Sequence, residues 1–127
     1  MTAAAAELAR ERYVSLATFR RTGAEVRTPI WFAMVGERLV VVSAGDSGKV
    51  KRLRNNPRVR VAACDARGGV HGSWHEGSAR ILSDPREIAE AGARLRAKYG
   101  WQVWVLDLVA RLTGRMRRRA WLEVALS

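Results

Sequence analysis

The sequence predicts a mainly β, α+β fold: a six-stranded antiparallel barrel with short helices inserted after the third and fifth strands. Three observations carry that expectation. β-like runs recur through the first two thirds of the chain. The early connections between them are only a few residues long, which suits antiparallel neighbours. Two helical stretches then interrupt the β pattern before it returns near the C-terminus. At 127 residues, the chain is read as a single domain, 1–127, large enough for one core.

Ala3 to Arg12 reads as a short amphipathic helix, and Tyr13–Phe19 as the first strand, ended by the turn Arg20-Arg21-Thr22-Gly23. Glu25 to Val35 forms the second strand, and Gly36-Glu37 links it to a third over Arg38–Ala44. A basic helix at 47–55 follows, with Ser47 as its N-cap and Pro57 as its stop. The fourth strand is 58–65, the turn Arg67-Gly68-Gly69 comes next, and the fifth strand covers about 70–83. Asp84 caps the next helix, with Pro85 at its first position, and Ile88, Ala91, Leu95 and Tyr99 recur at helical spacing. Gly100 breaks that helix. Another runs from about 101 to 113 with Trp101, Trp104, Val105, Leu108 and Leu112 toward one side, and Arg117 to Leu126 returns as a strand.

Hydrophobic residues at 48% and charged residues at 28% describe a soluble globular protein. The formal net charge of +11 points to anionic partners. Nearly all of that charge is arginine, since lysine occurs only at 49, 51 and 98. Cys64 is the single cysteine, which excludes an internal disulfide and favours a reducing compartment. The first residues lack the apolar core of a signal peptide. The longest apolar stretch, Trp101 to Leu112, contains Gln102, Asp107 and Arg111 and is too short to span a bilayer. A cytoplasmic protein without a membrane partner is the expectation.

The segment from Ser43 to Arg60 is the most informative. An apolar run, Leu39-Val40-Val41-Val42, enters a Ser/Gly turn that opens the basic helix. Lys49 and Lys51 follow the cap at once, where the helix dipole disfavours cations by ~0.3–1 kcal/mol each. A bound phosphate would offset that cost, because first-turn amides and nearby lysines both point at an anion. A solvated basic helix is the alternative. The segment is not a Walker A loop: its glycine spacing is too short and no Ser or Thr follows the lysine.

Side chains alternate faces along the second strand. Val26, Thr28, Ile30, Phe32 and Met34 make a core stripe, while Arg27, Pro29, Trp31, Ala33 and Val35 share the other side. Arg27 could fork onto a phosphate and Trp31 could wall a ring. A barrel-exterior arginine beside a structural tryptophan is the plainer reading. Pro29 cannot donate to a ladder, so this strand should lie at an edge or be locally unpaired.

Taken in order, Ala17-Thr18, Gly23, Arg27-Thr28-Pro29-Ile30-Trp31-Phe32, Ser47-Gly48-Lys49, Leu53-Arg54-Asn55-Asn56-Pro57-Arg58-Val59 and Glu76-Gly77-Ser78-Ala79 resemble the flavin and deazaflavin oxidoreductases related to pyridoxamine 5′-phosphate oxidase. The similarity is nearest to small members that use the deazaflavin coenzyme F-420. That resemblance implies a split β-barrel of the FMN-binding type, forming a homodimer with cofactor sites at its interface. It places the cofactor phosphate near Arg27, Ser43, Ala44, Ser47, Gly48, Lys49 and Val50, and the ring along Pro29, Ile30 and Trp31. Two positions depart from the oxidases, which carry a basic residue where Gly48 stands and another near Trp31-Phe32. The departures disfavour FMN and a pyridoxine-phosphate substrate.

In such enzymes the cofactor performs the chemistry, so no side-chain nucleophile is required. The chain agrees: it offers no triad, no paired acid/base carboxylates and no redox cysteine pair, and no catalytic residue is named. His71, His75 and Cys64 could suggest a metal, but the two histidines, four apart on one face of a strand, are too distant for easy shared ligation, no third ligand is evident, and no metal site is assigned. Trp74 suits either a substrate pocket or a subunit interface. Arg115-Met116-Arg117-Arg118-Arg119, with Trp121 nearby, is the best case for nucleic acid, a lesser reading than a solvated strand entrance. The expected function is an F-420-dependent oxidoreductase acting on a small unsaturated or conjugated molecule. The alternatives are an FMN-dependent oxidase or reductase on the same scaffold and a cofactor- or nucleic-acid-binding protein without turnover.

Overall fold

The computed structural model describes residues 2–45, 47–114 and 119–127. The elements run α1 (Ala3–Ala9), β1 (Tyr13–Phe19), β2 (Glu25–Ile30), β3 (Ala33–Val35), β4 (Arg38–Ala44), α2 (Gly48–Asn55), β5 (Arg58–Cys64), β6 (His75–Ile81), α3 (Pro85–Tyr99), α4 (Trp101–Leu112) and β7 (Arg119–Leu126). The strands form one seven-stranded sheet in the order β2-β1-β5-β6-β7-β4-β3, with every pairing antiparallel.

The strand expected over 25–35 is two strands, which raises the count from six to seven. β2 and β3 lie at opposite edges of the sheet although only Trp31 and Phe32 separate them. The sheet must therefore curl until its edges nearly meet, and Trp31-Phe32 bridges the seam. At that bridge the backbone leaves the ladder. The Phe32 amide donates instead to the Tyr99 hydroxyl at 3.1 Å, which lies 2.9 Å from the Phe32 carbonyl and 2.7 Å from that of Arg12. β2 is an edge strand, so the missing N–H of Pro29 costs no ladder bond.

The alternation expected of this segment holds across the break. Ile30 and Phe32 join Leu16, Leu39, Val61 and Leu122 in the main core, with Met34 packed against it. Trp31 and Val35 instead pack against a second cluster beneath α3, around Ala33, Val40, Leu95 and Tyr99. Both predicted caps form. The Ser47 side chain accepts from the Val50 amide, and Asp84 accepts from the Arg86 amide with Pro85 opening α3. The fifth expected strand is shorter than 70–83: β6 begins at His75, and only an isolated bridge joins Val70 to Cys64. Glycines at 68, 69 and 72 weaken pairing there. Residues 117–118 of the last expected strand lie outside the described residues.

α4 presents its apolar stripe outward. Trp101 and Trp104 are 72% and 69% exposed, and Leu112 is 78% exposed. These side chains do not fill the core.

Candidate functional site

β4 carries Ser43 and Ala44 to the start of α2. Ser47 there is extended (φ −65°, ψ 155°), which directs its hydroxyl back over the first turn. Its Oγ accepts the Val50 amide at 3.4 Å and lies 3.3 Å from Ser43 Oγ. Gly48 and Lys49 occupy the first turn, whose amides receive no partner from the helix itself and carry its positive dipole end.

Two cations converge on this turn. Lys49 is half-buried, and burial, then the neighbouring Arg52, hold its ammonium below the ordinary lysine pKa. Arg52 bends back toward the N-terminus of α2, where its Nε donates to the buried Thr18 hydroxyl at 2.7 Å. Its own pKa is lowered by burial and then by Arg20. Among the described residues, no carboxylate pairs with Lys49, Arg52 or Arg20. The site is a concentration of partly desolvated positive charge beside two hydroxyls and a helix N-terminus, which is the chemistry of an anion cradle.

Arg52 also accounts for Gly48. A Cβ at Gly48 would stand 2.7 Å from Arg52 Nη1, so the guanidinium lies over the space the glycine leaves open. The position expected to lack a basic group is covered by one reaching from the next helical turn. Arg52 is not among the residues expected at this site from the sequence. The signal was its spacing: residues four apart share a helix face, and helical side chains lean toward the N-terminus.

The other expected residues are arranged differently. Lys51 is exposed. Val50 turns its side chain into the core and spends its amide on the Ser47 cap, and Ile30 belongs to the core as well. The Arg27 guanidinium bonds Glu25 at 3.0 Å and lies 4.6 Å from the Trp74 ring centroid. Arg60 lies at 4.8 Å from the same ring. Trp31 stacks on Tyr99, with centroids 4.4 Å apart and planes at 7°. Arg27 and Trp31 thus share a side of the chain but have separate partners. Pro29 is exposed and packs near Gly68.

The sequence matches the family model described as pyridoxamine 5′-phosphate oxidase over residues 1–127. The chain belongs to the pyridoxamine 5′-phosphate oxidase family. Solved structures share the family's fold at low identity. A conserved hypothetical protein from Mycobacterium tuberculosis superposes with a TM-score of 0.74 at 23% identity, covering 99% of this chain and 81% of that one. A heme storage protein from Vibrio cholerae gives 0.71 at 14% identity, with 93% and 83% covered. A protein described as an F420 reductase gives 0.59 at 19% identity, with 94% and 90% covered. No curated protein matches the sequence.

Within this member of the family, His71 and His75 lie near carboxylates rather than near each other's ligands: His71 Nε2 is 3.6 Å from Glu11 and His75 Nε2 is 3.7 Å from Glu7. Among the described residues, no three His, Cys, Asp or Glu side chains could hold a metal. Arg119 bonds Asp107 at 2.7 Å, while Arg115, Met116, Arg117 and Arg118 lie outside the described residues.

Proposed function

We propose that this family member is an oxidoreductase that binds coenzyme F-420 and exchanges hydride between it and a small unsaturated or conjugated substrate. The carrying observation is the cradle at the β4–α2 junction, where Ser43, Ser47, Lys49 and Arg52 surround a helix N-terminus. A phosphate fits that donor set, since it would accept the first-turn amides and offset the repulsion between Lys49 and Arg52. When bound, the deazaflavin supplies the hydride chemistry. This chain's residues bind and orient: the cradle holds the phosphate, and Pro29 and Trp31 on the neighbouring segment border the ring. Arg27 reaches the coenzyme only by releasing Glu25. A long anionic tail would meet Arg54, Arg58 and Arg60, which favours association rate more than specificity.

A homodimer with its coenzyme sites between the copies completes the proposal, in a reducing cytoplasm that suits the buried thiol of Cys64. Titrating the purified protein with F-420 and, in parallel, FMN while following tryptophan fluorescence tests the reading. Micromolar F-420 binding with weaker FMN binding supports it. Tight FMN binding and a yellow protein on purification would move the assignment to an FMN enzyme. F-420 binding without turnover across an enone and nitroaromatic panel would make the chain a coenzyme carrier.

A further inference from the structure

We infer that α4 pairs antiparallel with α4 of a second copy of this chain across a two-fold axis, burying its outward stripe of Trp101, Trp104, Val105, Leu108, Val109 and Leu112. The inference deepens the homodimer proposed above, on which it rests for two copies being the working unit, and gives that dimer a face. Those six side chains are each between 47% and 78% exposed. At helical spacing they fall within an arc of about 140° along a helix about 18 Å long. That is the stripe a helix ordinarily turns toward a core. Here the inward positions are Val103, Asp107 and Ala110, with Ala110 buried and Val103 packed against the second cluster. Two indoles and four aliphatic side chains at these exposures present on the order of 700 Å² per copy. That is more than a monomer ordinarily leaves to water, and close to the roughly 800 Å² that each partner buries in a standard interface.

Charge sets the direction of the pairing. Asp107 and Arg111, four residues apart, lie on one flank of the stripe and line the same open depression as Trp104, Val105 and Leu108. Among the described residues, Arg111 pairs with no carboxylate. Asp107 accepts Arg119 at Oδ1 at 2.7 Å and keeps a second carboxylate oxygen for another donor. When two facing helices run antiparallel about a two-fold axis, each flank meets the same flank of the other copy. Centred on Val109, that arrangement sets each Arg111 opposite Asp107 of the second copy. The face is then complementary to itself in charge as well as in apolar surface. Parallel pairing would instead oppose this flank to the one that carries Gln102 and Leu106, leaving Arg111 unmatched. The Asp107–Arg119 bond also ties the face to the cradle, because Arg119 lies opposite Ala44 in the β4–β7 ladder. The second copy thus docks on a helix anchored at the strand end that opens the site.

The test is disulfide trapping of Leu108→Cys and Trp101→Cys under mild oxidation, with sedimentation of the unsubstituted chain and of Leu108→Arg. Cys64 is the single native cysteine and is buried, so the unsubstituted chain serves as the blank. Pairing centred on Val109 brings the two Leu108 positions within disulfide reach and holds the two Trp101 positions about 24 Å apart along the helices. The expected result is a covalent dimer from Leu108→Cys and not from Trp101→Cys. Leu108→Arg should associate at least about tenfold more weakly, since its two guanidiniums would meet at the centre of the face. Crosslinking at both positions would mean parallel pairing and overturn the proposal. A chain that stays monomeric, its stripe free for a lipid or another protein, overturns it too, as does a dimer that Leu108→Arg keeps in full. Neither measurement needs the coenzyme. F-420 binding without crosslinking would strike this face and leave the proposed function standing, whereas crosslinking without F-420 binding would support the face and strike the coenzyme reading.

Discussion

The Tyr99 hydroxyl accepts the Phe32 amide at 3.1 Å across 67 residues of sequence. That bond stands in for the ladder partner that Phe32 gives up where the chain crosses from one sheet edge to the other. The ring below it stacks on Trp31, so one side chain fastens both residues of the seam. Its burial pushes the phenol up to about 12, despite opposing contributions from the Phe32 backbone and Arg12.

Tyr99→Phe keeps the stacked ring and removes the hydroxyl. The buried Phe32 amide then lacks a partner, which costs about 1–3 kcal/mol. Urea denaturation should show a lower midpoint with an unchanged slope. A midpoint equal to that of the wild type would remove the hydroxyl from the seam.

Lys98 gives the fold a pH dependence. Its Nζ is buried without a hydrogen-bond partner, 3.5 Å from the Phe32 ring centroid. Burial, then Arg12, lower its pKa from 10.5 to about 8, against a smaller opposing pull from Glu11. The folded state therefore disfavours the charged amine. Stability contributed by the neutral form is absent below about 8 and grows as pH rises toward the unfolded value of 10.5. Tyr99 acts oppositely above about 10, where the unfolded phenol ionises first. The thermal midpoint should rise by a few degrees between pH 7 and 9.5 in the wild type. Lys98→Met should be more stable than the wild type at pH 7 and should lose that rise; an identical pH profile in the two proteins contradicts the account.

Local chemistry was legible in the sequence, and tertiary choices were not. Ser47 and Asp84 cap their helices within a few residues of the side chains that identify them, so both were readable. Val26 through Met34 alternate without interruption, and nothing in that period marks Trp31-Phe32 as the place where hydrogen-bonding partners change edges. The stripe on α4 was legible as a stripe, but its direction is set by what α4 packs against. Gly48 pointed to a missing charge because the reading took residues singly, whereas Arg52 reaches it across a helical turn.

Gly48→Ala separates stability from binding. The added Cβ would stand 2.7 Å from Arg52 Nη1, and a flexible guanidinium can move aside at little cost to the fold. Alanine also favours the helix, by up to about 1 kcal/mol. The variant should melt at the same temperature as the wild type or higher, yet bind F-420 more weakly. Unchanged affinity would show that the position of Arg52 over Gly48 is irrelevant to the cradle.

The cradle itself is tested most directly by equilibrium binding of F-420 to the wild type, Lys49→Ala and Lys51→Ala. Lys49 is half-buried at the first turn and Lys51 is exposed one turn-face away. Loss of a charge-assisted phosphate bond at Lys49 should weaken binding by about 1.5–3 kcal/mol. Lys51→Ala should stay within about 0.5 kcal/mol of the wild type, as exposed substitutions ordinarily do. Equal affinities for the wild type and Lys49→Ala, or an equal loss in both variants, would contradict an anion held at the start of α2.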